Sequence, residues 1–271
     1  MTSTIKKTDW TCEFRPLAWD SEHFGFSIGQ LSPLRGPGGA IVTHEAIQQG
    51  IVLIKKVCDE AFQHGAKLIC ANADCEDSAV QRALCSSGFV LMDSLVTHRL
   101  ELNKVRGDLQ KSPNMRLARE ADLPSLERIS EECFGDRTYN VNRFNSDPAI
   151  DQARVRELYR LWMKNSLHPG KLADELHVYE QDGEVLGFVT LKVPAGEDAS
   201  IPLNAVAVRA HGKGIYTKMV HHVVRSVMDR RFKVIEIKTQ LPNVSVHKAW
   251  ARIGAALVHT EHRFHRSAPI E

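Results

Sequence analysis

Net charge is what this sequence has least of. Its 35 lysines and arginines stand against 33 aspartates and glutamates, leaving +2 at neutral pH. That field is too weak to gather nucleic acid. No apolar run approaches the length needed to cross a bilayer. The start, MTSTIKKTDW, lacks the apolar core of an export signal. A cytoplasmic protein with no nucleic-acid and no membrane partner is the expectation. The six cysteines (Cys12, Cys58, Cys70, Cys75, Cys85 and Cys133) include no C-x-x-C pair, so no metal is expected on them. In surroundings such as KLICANADC they read as reduced core thiols.

What is present is an ordinary globular composition, 43% hydrophobic and 25% charged over 271 residues, enough for one large domain or two compact ones. The polar stretch NKVRGDLQKSPN, 103 to 114, reads as a linker between a first region of 1–110 and a second of 111–271. The second region opens as a strand and then a helix. In MRLAREADLPSLERISEECFG, Asp122 stands at the N-cap, Pro124 in the first turn, and Leu126 and Ile129 at helical spacing.

The chain also resembles itself. KLICANADCEDSAVQRALCSSGFVLMDSLVTHR (67 to 99) and KVIEIKTQLPNVSVHKAWARIGAALVHTEHRFH (233 to 265) align without gaps. Each reads as strand, turn, helix, a glycine closing the helix (Gly88, Gly254) and another strand, with a long helix before it. The same offset puts Ala46 and Gln48 where the second copy has Gly212 and Gly214, so only the second copy carries glycines there.

Those glycines break an otherwise regular pattern. NAVAV suits a buried strand, and from Ile215 onward Met219, Val220, Val223, Val224 and Val227 recur at helical spacing. Between lies Arg209-x-x-Gly212-x-Gly214. Glycines admit positive φ and bring bare N–H groups close to a ligand, and a following helix adds unsatisfied donors. The combination suits phosphate oxygens, with Arg209 and Lys213 as charge at the rim. A turn alone would also use glycine. A dinucleotide fingerprint and a P-loop are both disfavoured, because G-x-G-x-x-G and G-K-[ST] are absent.

Strand, R/Q-x-x-G-x-G/A, long helix, strand and Asn-x5-Ala-x4-Gly, here Arg209, Gly212, Gly214, Asn243, Ala249 and Gly254, resembles the GCN5-related N-acetyltransferases (GNAT) over about 115 to 265. The resemblance implies an α/β fold with a central mixed, mostly antiparallel sheet, preceded by a degenerate GNAT-like half. It implies acetyl-CoA as cosubstrate and no metal. Ala205, Val206, Ala207 and Val208 would meet the pantetheine arm, as would Asn243. The loop from Arg209 through His211, Gly212, Lys213 and Gly214 to Ile215 and Tyr216 would hold the pyrophosphate, with Trp250 close by. More narrowly, PLAWDSEHFGFSIGQL, RFNSDPAIDQARVRELYRLWMKNSL, GFVTLKV and KTQLPN are similar to the dTDP-fucosamine acetyltransferases and their relatives. These act on the amine of a nucleotide-linked amino sugar.

Amide formation needs a deprotonated amine, a polarised thioester carbonyl and a proton for the leaving thiolate. Backbone N–H groups around Val206 suit the second need. The tyrosine that serves the third in many family members falls at Trp250, and indole is no acid near neutral pH. Tyr216, His247 or His211 could take its place, water could do so unaided, or the protein could bind CoA without turnover. For a base or orienting group, Asn204 and His247 border the expected cleft, whereas Glu236 belongs on a solvated face. Arg137, Tyr139 and Arg143 in FGDRTYNVNRF are candidate acceptor contacts. Trp19, Phe24 and Phe26 read equally as core or as a stacking platform, and the histidines of HTEHRFHR and His221-His222 as solvated side chains rather than ligands. Other small amines, an amino acid or an antibiotic, remain alternative acceptors, and a homodimer is left open.

Overall fold

The computed structural model describes residues 10–37, 42–170, 172–196 and 198–269. The chain divides into two units, Met1–Ser94 with Ser146–Ile150 and Thr260–Glu271, and Leu95–Asn145 with Asp151–His259.

In the first unit the strands are β1 (Thr11–Pro16), β2 (Ile28–Arg35) and β3 (Leu68–Asp74), joined by α1 (Ala18–Phe24) and α2 (His44–Gln63); α3 (Ser78–Ser86) and β4 (Val90–Glu101) come next. Strand β1 pairs antiparallel with β2, and β2 parallel with β3. The last strand of the chain, β11 (Ala256–Ser267), closes this sheet by pairing antiparallel with β3 from Asp74↔Glu261 to Leu68↔Ser267. Ile47, Ile51, Ile54 and Cys58 of α2 pack with Val80, Ala83 and Leu84 of α3 over Ile69 and Ala71 of the sheet. Of the aromatic trio near the start, Phe24 is buried, while Trp19 stays 47% exposed and stacks on His23. Cys85 is exposed on α3, because the helix turns that position outward; it is not a core thiol. All six cysteines are free.

The second unit begins with the end of β4. Then come β5 (Met115–Leu117), α4 (Leu123–Ser130), α5 (Gln152–Ser166), β6 (Glu175–Gln181), β7 (Glu184–Leu191), β8 (Asp198–Ile201), β9 (Asn204–Val206), α6 (Ile215–Asp229), β10 (Val234–Gln240) and α7 (Val244–Arg252). One sheet runs β5-β6-β7-β9; in the other, β10 takes β8 in parallel on one side and Leu95–Glu101 of β4 antiparallel on the other. Asp122 precedes α4 but does not cap it. Its carboxylate is drawn instead to the Arg116 guanidinium, at 2.6 and 2.8 Å, and to the Arg119 N–H. On α5 the buried stripe is Val155, Leu158, Tyr159 and Met163. Arg156 and Arg160 pair with Glu131, and Arg154 with Glu157.

The repeat is carried through to three dimensions. Strand β3, helix α3 and strand β4 begin at Leu68, Ser78 and Val90; β10, α7 and β11 begin at Val234, Val244 and Ala256, the same displacement each time and with equal lengths. Gly88 and Gly254 both take left-handed conformations, φ +86° and +99°. The last strand of each copy pairs with the first strand of the other. Val234↔Glu101 in the second unit repeats Leu68↔Ser267 in the first.

The copies part company before the long helix. Helix α2 starts at His44, so Ala46 and Gln48 lie within it, and the Thr43 hydroxyl accepts from the Ala46 N–H to cap it. In the second copy the matching residues are unwound into a 3-10 turn, Val208–Ala210, and a glycine loop. Glycine is worth about 1 kcal/mol less than alanine in a helix, which favours this unwinding.

Candidate active site

Helix α6 begins directly from the glycine loop. Gly212 and Gly214 have φ of +77° and +72°, and a Cβ at either would meet nothing within 4 Å. Gly214 is the N-cap, without a side chain to close the helix end. The first helical bond is Lys218 N–H to Gly214 carbonyl. Among the described residues the N–H groups of Gly212, Lys213, Gly214, Ile215, Tyr216 and Thr217 have no hydrogen-bond partner. Free donors and the positive helix end thus converge on an open corner.

Strand β9 borders the same corner. It pairs with β7 as Gly187↔Val206, Phe188↔Ala205 and Val189↔Asn204, and it is the edge strand of its sheet. The flanking bonds, Thr190 N–H to Leu203 carbonyl and Ala207 N–H to Leu186 carbonyl, fix the alternation. By that alternation, Asn204 and Val206 turn their N–H and C=O groups away from β7. Gly187 is required here, because a Cβ would meet Met219 Sδ at 2.7 Å and the Ala205 carbonyl at 2.9 Å. The Val206 carbonyl accepts from His211 Nε2 at 2.8 Å and from the Cys133 thiol at 3.3 Å. Cys133 lies in a π-helical turn, Glu131–Gly135, directly after α4, and burial pushes its thiol pKa up to about 12.

These elements enclose a cleft of about 540 Å³. Of the residues expected from sequence, Asn204, Ala205, Val206, His211, Gly212, Gly214, Ile215, Tyr216, Asn243 and Tyr139 line it. Ala207 is buried, Val208 meets the Glu132 carboxylate through its N–H, and Lys213 is exposed on the loop off the wall. Arg209 is drawn away by an ion pair with Glu184, so it does not charge the rim. Arg143 lies over the Phe144 ring, and neither it nor Arg137 lines the cleft. His247 is engaged elsewhere, with Nδ1 2.7 Å from His98 Nε2 and Nε2 3.0 Å from the Leu241 carbonyl. Glu236 pairs with Arg99.

Trp250 is fully buried beneath the wall rather than on it. Its indole N–H donates to the Tyr216 hydroxyl at 3.1 Å. Burial raises the Tyr216 pKa, and the indole N–H, which favours the phenolate, pulls it the other way. Tyr216, which lines the cleft, therefore keeps its phenol protonated.

Sequence reasoning missed Cys133, Phe134, Asn140, Ser245, Lys248 and Arg252. The last three were within reach: they share a face of α7 with Ala249, already marked by the motif. Among the described residues no group of three or more histidines, cysteines or acids is placed to hold a metal. In the tail, His262 bonds Ser94 and His265 bonds Asp147 at 2.7 Å each. Among the described residues no helix is long and apolar enough to cross a membrane.

Residues 135–255 match the Acetyltransferase (GNAT) family. The spore coat polysaccharide biosynthesis protein SpsD of Bacillus subtilis is 22% identical over 128 residues, 47% of this chain and 43% of that protein, so the match spans less than half the relative's length. A GCN5-related N-acetyltransferase from Sphaerobacter thermophilus shares the fold at TM-score 0.58 and 12% identity, over 89% of this chain and 72% of that one. A conserved protein of unknown function from Staphylococcus epidermidis does so at 0.63 and 11%, over 99% and 98%. The chain thus has the GNAT fold, and the family match supports the GNAT acetyltransferase superfamily for its 135–255 stretch.

Proposed function

We propose that the protein is an acetyl-CoA-dependent N-acetyltransferase acting on the amine of an amino sugar, most simply one linked to a nucleotide, in the cytoplasm. The observation that carries this reading is the open end of α6, where N–H groups without partners stand beside the outward edge of β9. Such an end suits a diphosphate. The N–H and C=O groups of Asn204, directed away from β7, suit the amides of a pantetheine arm. Bound there, acetyl-CoA would supply an activated acyl group.

The chain's own residues would then divide the work. The Val206 N–H, directed away from β7, would polarise the thioester carbonyl. The Tyr216 hydroxyl would protonate the departing thiolate, with Trp250 as a positioning residue. Of the side chains on the wall, His211 alone has an imidazole lone pair to take a proton from the acceptor. With Nε2–H directed to the Val206 carbonyl, that lone pair is on Nδ1. The amino-sugar acceptor draws on the likeness to a polysaccharide biosynthesis protein and on the polar Asn140 and Tyr139 that line the cleft.

Thiol release from acetyl-CoA, followed across a panel of amino sugars, nucleotide-linked amino sugars, amino acids and aminoglycosides, tests the reading. Acceleration by an amino sugar is the expected result; acceleration only by another amine would move the acceptor class. A second reading, CoA binding without turnover, is favoured by Trp250 at the position where the family has an acid. It predicts binding with no amine-dependent release.

A further inference from the structure

The sheet forks beside the cleft. Strand β8 pairs in parallel with residues 234–237 of β10 and ends at Ile201; Asn204–Val206 then continues as β9 in the other sheet. Residues 238–240 of β10 therefore have β4 on one side and, among the described residues, no strand on the other. Two consecutive loop residues reach both arms of this fork. The Tyr139 ring stands perpendicular to His211, centroids 6.5 Å apart, and His211 is bonded to the Val206 carbonyl of β9. Asn140 Nδ2 donates to Gln240 Oε1, at the end of β10, across 3.2 Å. The loop that carries both residues lies between the π-helical turn and α5, and two buried asparagines supply partners for its backbone. Asn142 and Asn145 each accept the other's N–H on the side-chain oxygen, at 3.1 and 2.9 Å, and both side-chain amides donate to the Phe134 carbonyl. Asn145 also donates to the Asn140 carbonyl at 2.6 Å. A buried network with its bonds made holds such a segment in one conformation.

The Asn140 amide is engaged inside the protein at both of its atoms, Nδ2 by Gln240 and Oδ1 by Asn142 at 3.4 Å. Tyr139, half exposed on the cleft wall, is the neighbour left for a ligand to meet. We infer that Asn140 and Gln240 are positioning residues for the acceptor. Their bond spans the fork and holds Tyr139 against His211, so that the amine meets the thioester in one orientation; the pair acts through Tyr139 and not on the cofactor. The inference rests on the transferase reading of the cleft, but not on which amine is acetylated. Loss of one partly buried hydrogen bond of this kind corresponds to about a threefold to tenfold effect.

The test uses the amine that the wild type acetylates fastest in the panel above. For each variant it reads kcat and KM for that amine, acetyl-CoA affinity by calorimetry, and the unfolding midpoint. Gln240→Met keeps the length of the side chain and removes the oxygen. It should lower kcat/KM for the amine by about threefold to tenfold, with acetyl-CoA affinity and the midpoint unchanged. Gln240→Glu, whose carboxylate still accepts from Asn140, should recover the wild-type value. In Asn140→Ala/Gln240→Met the second substitution should add nothing to the first, since the shared bond is already gone. Full kcat/KM in Gln240→Met overturns the inference, as does a Gln240→Glu enzyme no better than Gln240→Met, or a double variant whose losses multiply. A fall in acetyl-CoA affinity that matches the fall in kcat/KM also overturns it, by making the bond a general support of the cleft. If the wild type turns over no amine at all, the transferase reading itself falls and takes the inference with it, a result visible before any variant is made.

Discussion

The indole N–H of Trp250 donates to the hydroxyl of Tyr216 across 3.1 Å, joining a buried residue of α7 to the first turn of α6. Tyr216→Phe removes the proton donor and leaves the ring. Turnover is expected to fall by about 10²-fold, the usual size of one acid's contribution, with acetyl-CoA affinity little changed. Trp250→Phe releases the hydroxyl and leaves a cavity where the indole was fully buried, so a smaller fall in kcat is expected, with KM steady and the unfolding midpoint lowered. Steady-state kinetics on both variants checks this, and a Tyr216→Phe enzyme with full kcat would remove the phenol from the mechanism.

Gly212 adopts φ +77° in open surroundings. Gly212→Val therefore costs backbone strain, about 1–2 kcal/mol, rather than a clash. Unfolding should shift down by about 2–4 °C in Tm for a domain of this size, with the fold retained. The loop's N–H groups lose their convergence, and CoA affinity should drop by at least about tenfold, as calorimetry can measure.

A single CoA should bind per chain. In the first copy the Thr43 hydroxyl already caps the helix that matches α6, and the residues matching the loop glycines are helical. Titration to a stoichiometry near two would mean that the first copy also takes the nucleotide.

Acid should destabilise the second unit before it reaches the carboxylate range. Burial, then the neighbouring His177 and Lys111, lowers the His222 pKa from 6.5 to about 4. His222 Nδ1 and His177 Nδ1 are buried without partners. Because the folded pKa is lowered, the unfolded chain takes up a proton first. The stabilisation is complete above pH 6.5 and is lost as pH falls toward 4. Denaturant midpoints measured across that window should decline for the wild type, and His222→Leu should flatten the decline; a wild-type curve level from pH 7 to 4 would sink this.

Much of this was legible in the residues because it depends on local chemistry. The matched stretches 67–99 and 233–265 announced two copies of one plan, since spacing through Gly88 and Gly254 survives divergence of side chains. The loop at Gly212 and Gly214 was legible because positive φ singles out glycine. What escaped was decided by partners distant in sequence. Arg209 looked like a charge for phosphate, yet Glu184 claims it. His247 looked available, but His98 from another strand engages it. Lys248 and Arg252 went unmarked, although they share a face of α7 with Ala249, which the motif had marked. The trading of last strands between copies was hidden as well: the alternation of a strand records which face is buried, not which neighbour lies alongside.

That trade has a consequence for any attempt to shorten the molecule. The first copy lacks the glycine loop, which tempts a designer to keep the second copy alone. Yet Leu95–Glu101 is the strip against which β10 is zipped along its full length. A clone starting after residue 102 would expose a bare row of N–H and C=O groups along β10, an invitation to aggregate. The end of β4 thus has to travel with the second copy.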